Sequence, residues 1–62
     1  MEEIKKFRKT LKLSTKEFAG TLGVSKSLCE KIESGDREPS RNFCSRLKKT
    51  YPEFDINIFF KN

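Results

Sequence analysis

The feature that most constrains this chain is a pair of helix start signals separated by one helix stop signal. Ser14 and Glu17 are spaced as in a capping box, where the serine hydroxyl and the glutamate carboxylate each accept from the other residue's backbone N–H. Gly23 can adopt the left-handed conformation that ends a helix, and Ser25 can cap a second helix. The chain therefore predicts two consecutive helices that cross at a sharp angle, because the turn between them is short.

The first of these helices covers about residues 15–22, and the second ends at Gly35. An earlier helix is predicted over about residues 2–12, because Ile4, Phe7 and Leu11 recur at helical spacing. Two interpretations of its basic face stay open, a solvated surface and a surface that contacts phosphates. That face carries Lys5, Lys6, Arg8, Lys9 and Lys12.

The second half of the chain predicts two more helices. Ser40 can cap a fourth helix, which Pro52 ends near Tyr51. Asp55 can cap a short fifth helix. The residues predicted to face inward in helices two to four and in the turn between helices two and three are Phe18, Ala19, Leu22, Val24, Leu28, Cys29, Ile32, Phe43, Cys44, Leu47 and Tyr51. The apolar residues of the fifth helix are Ile56, Phe59 and Phe60.

Length and charge limit the functions that such a chain can have. A chain of 62 residues has room for one domain, residues 1–62, and none for a catalytic cleft on a scaffold, so we expect no enzyme. The net charge of +5 favours an anionic partner, either nucleic acid or a membrane surface. The longest apolar run, Ile58–Phe60, is far shorter than the roughly 20 residues of a spanning helix, so we expect a cytoplasmic protein without a membrane partner or targeting peptide.

The chain has two cysteines, Cys29 and Cys44, and no histidine. A zinc site would then need carboxylate ligands, so we expect neither a metal nor a cofactor, and no small-molecule ligand. Both cysteines fall at apolar positions of predicted helices. Reduced core thiols are therefore the favoured interpretation, and a disulfide between neighbouring helices is the alternative.

Small, glycine, apolar and capping residues stand in one register along the middle of the chain. Ala19 is the small residue that a close helix crossing requires, and Gly23 makes the turn four residues later. The matching segments are Leu13-Ser14-Thr15-Lys16-Glu17-Phe18-Ala19, Leu22-Gly23-Val24-Ser25, Ile32-Glu33-Ser34-Gly35 and Pro39-Ser40. This run resembles the phage repressor and Cro type (XRE-like) helix-turn-helix family over about residues 4–51.

The resemblance implies an all-α, compact five-helix domain like that of lambda repressor, with a central helix-turn-helix at about residues 14–34. It implies that helix three lies in the major groove of DNA and that the N-terminus of helix two abuts the phosphate backbone. Thr15 departs from the family, which usually has Gln at that position. The residues expected to contact bases are Lys26, Ser27, Lys31, Leu28 and Thr15.

The resemblance also implies contacts with phosphates and one structural ion pair. Arg8 and Glu33 align with a family ion pair that links helix one to the end of helix three. Helix four is the poorest match, since Arg41 and Lys48 stand where the family commonly has Leu and Ala. The expected phosphate contacts are Ser14, Lys16, Ser25, Ser34, Arg37 and Arg41. Helix capping is the alternative role of the serines, and it is compatible with phosphate contact.

Three assignments stay open. Leu28 either packs in the core or touches a thymine methyl group. Glu30 either accepts from a cytosine amino group or lies on the flank, paired with a lysine. The C-terminal apolar residues either close the core or form a homodimer surface; they are Phe54, Ile56, Ile58, Phe59 and Phe60.

The resemblance implies a sequence-specific regulator of transcription that binds double-stranded DNA. The absence of a sensor or oligomerisation domain favours a small Cro-like repressor or a controller protein of phage or mobile-element type. Because one helix reads few base pairs, we expect a palindromic operator and a homodimer. The alternative is a helix-turn-helix module that binds a protein partner, since fold alone does not establish function.

Overall fold

The computed structural model describes the backbone of residues 1–60 and the side chains of residues 1–58. Its elements are α1 (Glu2–Thr10), α2 (Thr15–Leu22), α3 (Lys26–Ser34), α4 (Arg41–Thr50) and a 3₁₀-helix (Ile56–Phe60). The described residues include no β-strand, and the predicted all-α class is confirmed. The count of five helices is wrong by one, because the last segment is a short 3₁₀-helix. Asp55 caps it as predicted, accepting from the Asn57 N–H at 3.0 Å.

Helix α1 ends at Thr10, two residues before its predicted end. Lys12 has a φ of +60°, a left-handed conformation that stops the helix although the residue is not glycine. Leu11 follows the helical apolar spacing and packs against the core from just beyond the helix. Its apolar character therefore extended the prediction past the true end of α1.

The turn between α2 and α3 has the predicted geometry. The capping box is complete, with Ser14 Oγ 3.1 Å from Glu17 N and Ser14 N 2.8 Å from Glu17 Oε1. Gly23 has a φ of +71°, and its N–H donates to the Gly20 carbonyl. The Val24 N–H donates to the carbonyl of Ala19, which completes a Schellman motif. The predicted bounds of α2 are confirmed.

The ends of α3 and α4 also follow local signals. The Ser25 hydroxyl accepts from the Leu28 N–H at 3.1 Å, and Gly35 ends α3 with a φ of +89°. The Ser40 hydroxyl accepts from the Phe43 N–H at 3.1 Å. Helix α4 ends at Thr50, just before Tyr51 and Pro52, as predicted.

The four α-helices enclose one core. Its buried residues are Ile4, Phe18, Ala19, Leu22, Cys29, Ile32, Phe43, Cys44, Leu47 and Phe54. Five residues predicted to face inward are only partly buried at its edge, namely Phe7, Leu11, Val24, Leu28 and Tyr51. Both cysteines are buried free thiols, as the favoured interpretation holds.

Aromatic rings join the C-terminal segment to this core. The ring centroid of Phe7 lies 4.8 Å from that of Phe54 and 5.4 Å from that of Tyr51. Phe54 is 9% exposed and so closes the core, while Ile56 and Ile58 are partly buried against it. The side chains of Phe59 and Phe60, for which core closure and a homodimer surface were both open predictions, lie outside the described residues.

Two side-chain contacts tie the last turn of α2 to α4 and the residue that follows it. Arg46 Nη1 donates to the Leu22 carbonyl at 3.2 Å, and Tyr51 Oη donates to Thr21 Oγ1 at 2.7 Å. The last turn of α2 contains no basic residue. Arg46 therefore supplies the cation that favours the negative end of that helix dipole.

Candidate nucleic-acid interface

Helix α3 has a polar face that is exposed and an apolar face that is buried. Lys26, Ser27 and Lys31 are exposed, whereas Cys29 and Ile32 are fully buried on the opposite side. No described part of the chain covers the three polar side chains. They are therefore accessible to a macromolecule, as residues that contact base edges must be, and those base contacts stay a prediction.

The two other predicted base contacts are less accessible. Leu28 is partly buried and packs against the core, which agrees with the core interpretation of that residue. Thr15 is the first residue of α2 and is also partly buried. Neither side chain stands out from the surface as the lysines of α3 do.

Hydrogen bonding divides the serines predicted to contact phosphates into two kinds. Ser14 and Ser25 accept from backbone N–H groups as helix caps, so their own hydroxyl hydrogens remain available to donate. Ser34 Oγ instead donates to the Lys31 carbonyl at 3.1 Å. Ser34 would have to give up that bond to donate to a phosphate oxygen, so Ser14 and Ser25 are the better placed donors.

The three cationic side chains predicted to contact phosphates are exposed. Lys16 lies in the first turn of α2, and Arg41 is the first residue of α4. Arg37 follows α3, and its backbone N–H donates to the Lys31 carbonyl at 3.2 Å, which holds the loop against α3. Among the described residues, none of the three forms an ion pair. Their charges are free to meet an anionic partner.

An open groove of about 280 Å³ lies beside this face and is lined by residues of α1, α2 and α3. Two residues predicted to contact DNA line this groove, Thr15 from α2 and Ser34 from α3. The full lining is Lys5, Arg8, Thr15, Glu30, Glu33 and Ser34. Lys5 was predicted only as part of a basic helix face, although the alignment of Arg8 with Glu33 already indicated that α1 meets the end of α3.

The ion pair between Arg8 and Glu33 forms the inner wall of this groove. Arg8 Nε lies 2.8 Å from Glu33 Oε2, and the two side chains are only 12% and 8% exposed. Arg8 Nη1 also donates to the Leu13 carbonyl at 2.8 Å, just before the cap of α2. Arg8 therefore fixes the start of α2 relative to the end of α3. The contact with Leu13 could not be predicted, since a backbone carbonyl leaves no mark in the residue types.

A second contact at the end of α3 was also missing from the sequence interpretation. The Met1 ammonium donates to the carbonyl oxygens of Ile32 and Glu33, the latter at 2.7 Å. A cation at this position satisfies carbonyls that have no partner within the helix, and it favours the negative end of the helix dipole.

Glu30 is the acidic residue on the exposed side of α3. Its Oε2 lies 3.7 Å from Lys26 Nζ, one helical turn earlier, and the two side chains are 55% and 57% exposed. The structure thus shows the lysine pairing that the flank interpretation required. Glu30 itself also lines the groove, together with Thr15 and Ser34.

Neither cysteine has the lowered pKa that would make its thiol reactive. Burial, with a smaller contribution from the charge of Glu33, raises the pKa of Cys29 to about 11. Burial also raises the pKa of Cys44. The thiolate is the nucleophilic form of cysteine, so both thiols are almost wholly protonated and unreactive at neutral pH.

The described residues form neither a metal-binding cluster nor a membrane-spanning helix. No three or more acidic or cysteine side chains lie together in a way that could hold a metal ion. None of the helices combines the length and apolar character that crossing a membrane requires.

Comparison with models of protein families gives a match over most of the chain. The family model HTH_3, described as helix-turn-helix, matches residues 4–53, which is most of the chain. No curated protein and no solved structure matches the chain.

Proposed function

The chain belongs to the XRE and Cro type helix-turn-helix family of DNA-binding transcription regulators, and from this premise we propose that it binds a palindromic operator as a homodimer. We propose further that it is a small Cro-like repressor or a controller protein of phage or mobile-element type. Its short recognition helix, α3, would read base edges in the major groove.

The observation that carries this proposal is the exposed polar face of α3. A lysine ammonium can donate to guanine O6 and N7, and a serine hydroxyl pairs with several bases. Lys26, Ser27 and Lys31 supply these groups on one exposed side of a helix whose other side is core. Beside them, Ser14 and Lys16 at the start of α2 offer a donor and a cation to the phosphate backbone.

The size of the molecule supports a two-fold complex. Successive half-sites on one side of a duplex lie about 34 Å apart. The described residues extend 29 by 25 by 20 Å, so two adjacent copies are of the right size to place one α3 in each half-site. Because Phe54 is core, the part of the C-terminal segment that could join two copies reduces to the partly exposed Ile56 and Ile58, with Phe59 and Phe60 beyond the described side chains.

The proposal is tested by selecting sites from random duplexes with the purified chain and measuring affinity for the winning site across a range of salt. We expect two-fold symmetric sites and a steep fall of affinity as salt rises, because cationic side chains release counterions from the phosphates. Lys31→Ala should weaken binding to the selected site about tenfold or more.

Lys49→Ala is the matched control, since it removes the same charge from an exposed position near the end of α4. It should leave binding to the selected site almost unchanged. Absence of duplex binding at low salt would overturn the proposal and favour the alternative of a protein-binding module. Selection of single half-sites would leave DNA binding intact but overturn the homodimer.

A further inference from the structure

The stability of α3 does not explain why an acidic residue, Glu30, stands on its exposed face. An acidic side chain on a face that meets a polyanion is repelled by it, and an exposed ion pair adds little to folding. The order of the Lys26–Glu30 pair is also unfavourable, because lysine stands in the first turn of α3, at the positive end of the helix dipole. In helices the stabilising order has glutamate first and lysine four residues later.

The geometry of the pair matches one feature of DNA. In a G·C base pair, guanine O6 accepts a hydrogen bond from cytosine N4, so these two atoms are about 2.9 Å apart at the edge exposed in the major groove. Lys26 Nζ is a donor suited to O6, and Glu30 Oε2 is an acceptor suited to the remaining N4 hydrogen. The two side-chain atoms already lie 3.7 Å apart in the free protein.

We propose that Lys26 and Glu30 act as one unit that reads a single G·C base pair, with Lys26 donating to the guanine and Glu30 accepting from the cytosine. This inference rests on the proposed DNA-binding function and assigns Glu30 as a specificity-determining residue. Glu30 also keeps the ammonium of Lys26 partly neutralised in the absence of a matching site, so that Lys26 adds less to binding at other sequences.

The test compares selected sites and affinities for Lys26→Ala, Glu30→Ala and the unchanged chain. Both variants should lose the preference for G·C by about tenfold, at the same position of each half-site. Glu30→Ala should also bind unrelated duplexes more tightly, because Lys26 becomes free to contact phosphates. Glu53→Ala is the matched control, since it removes an exposed carboxylate outside α2 and α3 and should leave the preference unchanged.

Three results would overturn the inference while leaving the proposed function in place. In the first, Glu30→Ala tightens binding to every duplex by one factor without changing base preference. In the second, the two variants change preference at different positions of the half-site. In the third, the unchanged chain selects sites with no fixed G·C pair. Failure of the unchanged chain to bind any duplex overturns both proposals together.

Discussion

The side chain of Arg8 connects three parts of the molecule. From α1 it bonds to Glu33 at the end of α3 and to the Leu13 carbonyl before α2. Because the pair is nearly buried, removing one partner leaves a charge that is neither hydrated nor paired. Arg8 therefore contributes to the relative placement of the two helices that form the candidate interface.

Arg8→Ala should lower the free energy of unfolding by about 3–5 kcal/mol, measured by urea denaturation. A chain of this length is expected to have a total stability of only about 3–9 kcal/mol, so the loss is large. The double variant Arg8→Ala/Glu33→Ala should be more stable than the sum of the single effects predicts, since no lone charge remains. An unfolding midpoint that Arg8→Ala leaves in place would contradict the importance of the pair.

At the scale of elements, the capping box makes the stability of α2 dependent on pH. The backbone N–H of Ser14, and then its hydroxyl, lower the pKa of Glu17 below its ordinary value of 4.5. A carboxylate with a lowered pKa stabilises the fold above that ordinary value, and the contribution is lost as the pH falls through the lowered pKa. The start of α2 should therefore weaken in acid.

Glu17→Gln measures this contribution, because the amide keeps an acceptor oxygen but has no charge to lose. At neutral pH the wild-type chain should have the higher Tm. The difference between the two Tm values, measured by circular dichroism at each pH, should shrink as the pH is lowered below about 4.5. Glu53→Gln controls for the change in net charge, and a constant difference across this pH range would refute the assignment.

The turn after α2 depends on glycine for two separable reasons. A Cβ at Gly23 would be strained by the positive φ and would lie 2.7 Å from Arg46 Nη1, whereas a Cβ at Gly35 would meet open space. Gly35→Ala should cost about 1–2 kcal/mol for the left-handed conformation alone. Gly23→Ala should cost about 1 kcal/mol more, because Arg46 must release the Leu22 carbonyl.

Urea unfolding of both glycine variants, in the wild-type chain and in an Arg46→Ala background, separates these terms. Without the arginine side chain the two substitutions should cost nearly the same. A difference that persists in the Arg46→Ala background would show that the guanidinium is not its cause.

The sequence predicted elements best where the signals are local. Ser14, Ser25 and Ser40 with the glycine stops fixed the bounds of α2 and the starts of α3 and α4, because caps act within one turn of the chain. The end of α1 was missed, since Lys12 carries no mark of its left-handed conformation. Contacts of Arg8, Arg46 and Met1 with distant carbonyls were missed for the same reason, as every residue has a carbonyl. The bases and phosphates that the side chains touch remain predictions.

At the scale of the whole molecule, a small core gives each large side chain a large share of the stability. Phe54→Ala removes a ring that packs against Phe7 and closes the core after α4. We expect a loss of about 3–5 kcal/mol, by urea denaturation. Ile58→Ala, at the partly buried edge, should cost much less. Equal losses for the two variants would contradict the assignment of Phe54 to the core.

The uncovered face of α3 has a consequence for how fast the protein finds a target. Lys26, Ser27 and Lys31 are exposed to solvent, so an encounter with a duplex need not wait for any described segment to move aside. The association rate constant at low salt should exceed the roughly 10⁵–10⁶ M⁻¹s⁻¹ of uncharged partners and fall as ions screen the attraction. The correct site would then differ from the surrounding DNA in a slower dissociation of the protein, and not in a faster association.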